Sequence, residues 1–452
     1  MEHRPDPLLL TEDDLGLVTD LYQLTMFAAY RRRRAGVRGC FELWFRDLPP
    51  ARNFLVAAGL EPALAFLTRL RFPPAQVSAL RALPALRELD QSFFEALAEF
   101  RFEGSVWAVR EGTVVFAGEP IMRVEAPIEQ AQLVETYLLS AISYSTLVAS
   151  KAARVRIAAG DHRVIDFGSR RAHGPQAACW AARSAFLAGL NGSSNVWASC
   201  RLGVPASGTM AHSFILAFSD EAEAFRVYSE TFPTGTVLLV DTFDTVASVS
   251  RAAADPELRF VAIRLDSGDL VELSRRCRRI LDEHGRNEVK IVVSGDLDEY
   301  RVAEMVAVAA PIDAFGVGTR MVTSADAPAL QAVYKLVAVE EPGRGRRGVA
   351  KRSEGKETLP GAKQVWRRRA PDGTFAEDLI CATDDGPGQG AWEPLLEPWI
   401  REGRLLRSSP DLGEVREYAL RQLAALPAPL RELEAAGAYP VGVTGPLSAG
   451  EG

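Results

Sequence analysis

The sequence predicts an α/β fold built on a parallel sheet, and three observations predict it. Between about residues 160 and 340, short β-branched runs alternate with helix-compatible stretches, the rhythm of parallel strands joined by crossovers. Each apolar run ends in polar residues or glycine, where parallel α/β folds gather their ligands. The sequence on either side lacks this rhythm. The expected division is an N-terminal α/β domain at 1–150, an α/β barrel at 151–340 and a C-terminal segment at 341–452. Polar ends from at least six units could share one mouth, which favours a barrel; an open doubly wound sheet is the alternative.

Taken in order, "DLYQLTMFAAYRR" has helical spacing, with Leu21, Leu24, Phe27 and Ala28 on one face. "CFELWFRDL" alternates like a strand. "SVWAVREGTVVFAGEPIMRVEAP" reads as two or three strands with glycine turns, and residues 128–160 as one long helix ending at Gly160. The repeating units follow: "RVIDFGS", an Ala-rich helix, "NGSSNVWAS", "GTMAHSF", "VLLVDTFD", "FVAIRLDSGD", "KIVVSGD" and "DAFGVGT", with helices expected at 270–284 and 297–309. After Val339 the chain is rich in Gly, Lys and Arg and reads as loops and edge strands. A helical pattern begins near "LGEVREYALRQLAAL".

The 452 residues are 47% hydrophobic and 25% charged, so a large core can form. A net charge of −7 gives no general attraction to nucleic acid or to an anionic membrane. The basic clusters at Arg31–Arg34 and Gly343–Gly348 lack interleaved aromatics and read as solvated surface. Five scattered cysteines (40, 179, 200, 277, 381) make no C-x-x-C pair, so no zinc site or disulfide framework is expected. The polar N-terminus has no signal-peptide pattern and no run of about 18 apolar residues occurs, so a cytoplasmic, non-membrane protein is expected.

The strand ends carry the chemistry. No P-loop occurs, since "EGKET" places Glu357 after Lys356, and "GVGTRM" has only two of the three glycines of a dinucleotide fingerprint. "VSGD" and "FGVGT" still place Gly295, Asp296, Gly316, Gly318 and Thr319 on consecutive loops. Backbone N–H groups there can approach an anion, and a helix N-terminus can follow. Arg264 and Asp266, two apart in "RLDSGD", share a face: the arginine suits an anionic substrate group, the acid a hydroxyl or a cation-bound diphosphate. Asp241 and Asp296 add acid to the same mouth, which suits Mg²⁺ bound through substrate phosphates rather than a dedicated protein site. Phe167 and Arg170 in "DFGSRR" offer an aromatic face and a guanidinium, as a flat aromatic carboxylate requires. His212, one of only five histidines, sits on a Gly-Thr turn and is either a core histidine or a nucleophile.

The motifs "DLYQLTM", "FGSRRAHG", "NGSSN", "GTMAHS", "VDTFDT", "RLDSGD", "VSGDLDE", "GVGT" and "YKLV" together resemble those of the nicotinate phosphoribosyltransferases, in the same order from about Leu10 to Val365. The resemblance implies a type II phosphoribosyltransferase: an irregular, incomplete α/β barrel, and a second α/β domain built from the N- and C-terminal segments. It implies a homodimer whose sites use both subunits. The implied reaction joins nicotinate to phosphoribosyl diphosphate, giving nicotinate mononucleotide for NAD salvage, with Mg²⁺ and hydrolysis of ATP. His212 would be the phosphorylated histidine and Asp266 a second catalytic group. Tyr22, Phe167, Arg170, Thr209 and Arg264 would bind nicotinate. Gly295, Asp296, Gly316, Gly318 and Thr319 would hold the 5′-phosphate, although this chain has Gly-Asp where relatives can have Asn-Asn. Ser194 stands where nicotinamide-specific relatives carry Asp, which argues for the acid over the amide. Two other readings stay open: a transferase for another pyridine such as nicotinamide, and a non-catalytic phosphoribosyl-diphosphate or nucleotide sensor.

Overall fold

The computed structural model describes residues 10–353 and 357–444. They fall into two compact units. The first comprises Met1–Thr146, Ala329–Asp411 and Arg421–Gly452, and the second Leu147–Pro328 with Leu412–Leu420.

The second unit holds a six-stranded, wholly parallel sheet. Its strands are β1 (Arg163–Asp166), β2 (Gly192–Ser193), β3 (Val237–Leu239), β4 (Ala262–Leu265), β5 (Lys290–Val293) and β6 (Ala314–Val317). The order across the sheet is β2-β1-β6-β5-β4-β3. That is the chain order written around a circle and cut once, between β2 and β3. A doubly wound sheet would reverse its strand order at a switch point; this one never does. The fold is therefore an incomplete barrel, a distinction that strand patterns could not make.

The strands are short apolar runs because both faces are covered. Val164, Leu238, Leu239, Ile263, Leu265, Ile291, Val293, Phe315 and Val317 are all buried. The intervening helices bury one stripe each. In Leu270–Glu283 the buried positions are Leu270, Ser274, Cys277 and Leu281, spaced to one face. Their starts are set by acids: Asp244, Asp269 and Asp298 accept from the backbone N–H of Ala247 (2.9 Å), Glu272 (3.0 Å) and Arg301 (3.0 Å). The acids of "VDTFD", "RLDSGD" and "VSGDLD" thus separate into helix caps and residues free to face the mouth.

The first unit is built on a seven-stranded antiparallel sheet and a four-stranded sheet. Its core includes Leu24, Phe27, Leu43, Phe45, Val124 and Leu138. The stretch "CFELWFRDL" reads as an alternating strand; the strand found is Arg38–Phe45, and nearly all of it is buried. The strand lies centrally, between Ala332–Glu341 and Pro120–Pro127, and the buried Glu42 is neutralised by Lys363 Nζ at 2.8 Å.

Three boundaries differ from those read in the sequence. Ala332–Glu341, assigned to the barrel by the limit at 340, pairs with Arg38–Phe45 in the first unit. Leu412–Leu420, expected in the second domain, belongs to the barrel unit, where Arg416 donates to the carbonyls of Gly189 (3.0 Å) and Leu190 (3.3 Å). The helix read as one piece from 128 to 160 is two, Ile128–Leu133 and Glu135–Ala159. Amphipathic spacing alone cannot say which sheet a segment will join.

Candidate active site

The carboxyl ends of β1–β6 bring most of the candidate residues into one hydrogen-bonded cluster. Arg264, the third residue of β4, has a side chain only 12% exposed. Its Nη1 donates to Thr209 Oγ1 (2.7 Å) and to the Met210 carbonyl (3.3 Å), and its Nη2 to Asp266 Oδ1 (3.3 Å). The Nε is buried and has no hydrogen-bond partner among the described residues. The guanidinium carbon lies 5.8 Å from the ring centroid of Phe167. A largely buried cation beside an aromatic face has the chemistry to pair with a planar anion.

Asp266 is part of the same network. It accepts from Ser294 Oγ at 2.5 Å, while its backbone N–H donates to Asp241 Oδ2 at 2.9 Å. Ser267 Oγ donates to that same Oδ2 at 2.7 Å. The other Asp241 oxygen, Oδ1, is buried, has no hydrogen-bond partner among the described residues, and lies 4.0 Å from Nε2 of His212. His212 opens the short helix His212–Ile215, and its Nδ1 hydrogen-bonds Thr242 Oγ1 at 3.1 Å. The ring is held through Nδ1, Nε2 faces the Asp241 carboxylate without a hydrogen bond, and 40% of the side chain remains exposed. This is not a core histidine. A held, accessible imidazole beside an acid is arranged for nucleophilic or acid–base work.

The loop after β5 turns through two residues of positive φ, Gly295 and Asp296. Gly295 has φ +103°, and a Cβ there would lie 2.1 Å from the Asp266 carbonyl oxygen, so only glycine fits. Asp296 follows with φ +47° and is exposed. Gly316 lies under the Phe167 ring, where a Cβ would come within 2.5 Å of ring atoms. Thr319, after Gly318, opens the helix Thr319–Val322.

Arg170 is exposed on the short turn Ser169–Arg171, and Ser194 is exposed after β2. Tyr22 is 47% exposed on the helix Leu21–Arg33 of the first unit. Sequence reasoning missed Asp166, Thr242 and Ser294. Asp166 is buried at the end of β1, where it accepts from Gly168 and Ser193, and burial raises its carboxyl above the usual range. The available signal was a polar residue closing an apolar run, but nothing separated these three from ordinary turn residues. Among the described residues no group of three or more His, Cys, Asp or Glu is arranged to hold a metal ion. Asp241 and Asp266 do suit Mg²⁺ that arrives with a diphosphate, because that ion keeps several waters and takes only one or two carboxylates.

Three parts of the chain match the sequence patterns of nicotinate phosphoribosyltransferases: the N-terminal domain at 17–143, the family pattern at 162–347 and the C-terminal domain at 389–449. The nicotinate phosphoribosyltransferase pncB2 of Mycobacterium tuberculosis is 45% identical over 437 residues, covering 95% of this chain and 91% of that protein. The chain belongs to the nicotinate phosphoribosyltransferase family. The nicotinate phosphoribosyltransferase of Bacillus subtilis is 38% identical over 462 residues, covering 95% of this chain and 93% of its own. Among solved structures, human nicotinic acid phosphoribosyltransferase superposes with a TM-score of 0.83 at 30% identity, covering 95% of this chain and 98% of its own. The family pattern at 162–347 contains the whole barrel-mouth cluster, whereas Tyr22 falls under the N-terminal pattern.

Proposed function

We propose that this enzyme transfers the phosphoribosyl group of phosphoribosyl diphosphate to the ring nitrogen of nicotinate, in NAD salvage in the cytoplasm, with hydrolysis of ATP through a phosphohistidine on His212. The observation that carries the reading is the buried Arg264, bonded to Thr209 and Asp266 beside the Phe167 ring. Arg264 binds the nicotinate carboxylate, joined by the exposed Arg170, and Phe167 supplies the stacking face. The 5′-phosphate of the sugar lies on the N–H groups of the Gly295–Asp296 and Gly318–Thr319 loops, with Gly316 keeping the floor between them flat.

In the transfer step the ring nitrogen donates its lone pair to the anomeric carbon. The bond from that carbon to the diphosphate oxygen breaks, and diphosphate leaves with the electron pair. Arg264 and Phe167 hold the ring in line for this attack, so their contribution is largely orientation. Mg²⁺, held by the diphosphate with Asp241 and Asp266, would neutralise charge on the leaving group. In the coupling step an imidazole nitrogen of His212 attacks the terminal phosphorus of ATP and ADP leaves. Water later cleaves the phosphoramidate, releasing phosphate and restoring the imidazole. Thr242 and Asp241 keep the ring oriented for both events.

A homodimer with shared sites is part of the reading. The barrel is cut between β2 and β3, and Val196 and Trp197, just after β2, are 72% and 46% exposed. Phe243, just after β3, is 65% exposed. Large exposed apolar side chains beside each open edge of the sheet favour burial by a second copy.

The test is product analysis by mass spectrometry with nicotinate, nicotinamide and quinolinate, each with phosphoribosyl diphosphate, with and without ATP. Nicotinate mononucleotide, formed faster with ATP, is expected. Preference for nicotinamide would move the assignment to another pyridine, and binding of phosphoribosyl diphosphate without turnover would make the protein a sensor.

A further inference from the structure

Asp166 has no assigned role, yet it sits where two loops of the pyridine pocket meet. It is the last residue of β1 and is 1% exposed. One loop leaves β1 directly and carries Phe167 and Arg170. The other leaves β2 and carries Ser194. The carboxylate divides between them: Oδ1 accepts the Gly168 N–H at 2.7 Å, and Oδ2 accepts the Ser193 hydroxyl at 2.6 Å. The Asp166 carbonyl takes the N–H of Ser194 itself at 2.9 Å.

The bonds close into a ring. Ser193 Oγ accepts the Asn195 N–H at 3.0 Å, and Asn195 Nδ2 donates to Ser169 Oγ at 3.1 Å, which returns to the first loop next to Gly168. Asn195 also caps the helix Val196–Leu202 by accepting from the Ala198 N–H at 2.9 Å. The Asp166 side chain has one neutral donor from each loop and is sealed from solvent, so it has no route to a substrate. The first loop is also pressed from its other side. A Cβ on Gly168 would lie 2.8 Å from Val322 Cβ and 3.1 Å from both Asp166 Oδ1 and the Gly318 carbonyl oxygen.

We propose that Asp166 is a positioning residue for the pyridine pocket: its buried carboxylate ties the loop bearing Phe167 and Arg170 to the loop bearing Ser194, fixing the spacing between stacking face and selectivity residue. The proposal rests on the functional reading above. Each tether is a hydrogen bond to a charged group in a dry setting, where losing one partner costs most. Among the described residues no group of the phosphate loops after β5 and β6 donates to this carboxylate, so the effect should fall more on the base than on the sugar phosphate.

The test uses the full chain and three substitutions, Ser193→Ala, Asp166→Asn and Asp166→Ala. Kinetics are measured with nicotinate, nicotinamide and phosphoribosyl diphosphate varied in turn, and folding is followed by thermal unfolding. Ser193→Ala removes one tether; KM for nicotinate should rise about tenfold, with KM for phosphoribosyl diphosphate changed less than about twofold. The nicotinate-to-nicotinamide ratio of kcat/KM should fall with it. Asp166→Asn should be milder than Asp166→Ala, because the amide oxygen can still accept from Gly168 while its NH₂ turns to Ser193. A folded Ser193→Ala with unchanged nicotinate KM and selectivity overturns the proposal, as does a parallel rise in both KM values. If the Asp166 variants do not fold, Ser193→Ala decides alone. If the unaltered enzyme does not convert nicotinate, the functional reading fails and the proposal with it; if it does, a silent Ser193→Ala removes only the role of Asp166.

Discussion

Replacing Arg264 with alanine removes the guanidinium that the site is built around. In the folded protein it bonds Thr209, Met210 and Asp266, and it is 12% exposed. Water can refill only part of the space, because the neighbouring Met210 and Leu265 are buried. Truncating one partner of a buried, hydrogen-bonded charge pair costs about 2–5 kcal/mol. At about 1.4 kcal/mol per tenfold, kcat/KM for nicotinate should fall by about 30-fold to about 4,000-fold. The loss should appear mainly in KM, since the carboxylate is bound before and during transfer. Arg264→Lys should recover only part of it, because a single ammonium cannot replace the planar fork. The assay is initial rate against nicotinate at saturating phosphoribosyl diphosphate, with circular dichroism to establish folding. A folded Arg264→Ala enzyme with an unchanged KM for nicotinate would refute the reasoning.

Ser194→Asp should move selectivity toward nicotinamide by at least about tenfold, because like charges placed together across a contact cost several kcal/mol; equal effects on both substrates would show that Ser194 does not face the ring. Incubation with Mg²⁺ and ATP should label His212 with an acid-labile, alkali-stable phosphate, and His212→Asn should lose both label and coupling while keeping some ATP-independent transfer. Label mapped to Ser213 would contradict this. Gly295→Ala should lower the melting temperature and raise KM for phosphoribosyl diphosphate, since its Cβ would lie 2.1 Å from the Asp266 carbonyl at φ +103°; wild-type values for both would mean the loop is shaped differently. In the first unit, burial, and next the neighbouring Asp378, raise the Glu119 carboxyl well above its ordinary value of 4.5. The folded state then holds a proton that the unfolded chain has released, so stability should fall as pH rises from about 4.5 through the raised value. Glu119→Gln should flatten that slope in urea unfolding at several pH values, and an unaltered slope would place the linkage on another group.

Much of the site was legible because strand ends in a parallel sheet are marked in sequence. "DFG", "RLDSGD", "VSGD" and "FGVGT" each follow an apolar run, and the structure brings Phe167, Arg264, Asp266, Gly295 and Gly316 together there. His212 was readable only as a candidate. What separates it from a core histidine is its partners, Thr242 and Asp241, which come from a strand end about 30 residues later. The acids near the mouth looked alike in sequence. In the fold Asp244, Asp269 and Asp298 cap helices, while Asp241, Asp266 and Asp296 do not. Which acid caps depends on where the helix begins, a boundary that short-range patterns fix poorly.

The sequence by itself determined the alternation of strands and helices, the glycines needed at strand ends, and the set of residue types available for a planar acid and a phosphate. These are local properties, set by side-chain periodicity and backbone freedom over a few residues. Only the tertiary structure decided that the sheet is a barrel cut between β2 and β3. It alone decided that Ala332–Glu341 leaves the barrel and Leu412–Leu420 joins it. It alone joined Asp166 to the two loops that follow β1 and β2. Such outcomes depend on pairings between segments far apart in the chain, whose hydrogen bonds and buried faces have many local equivalents and become unique only when the whole core is packed.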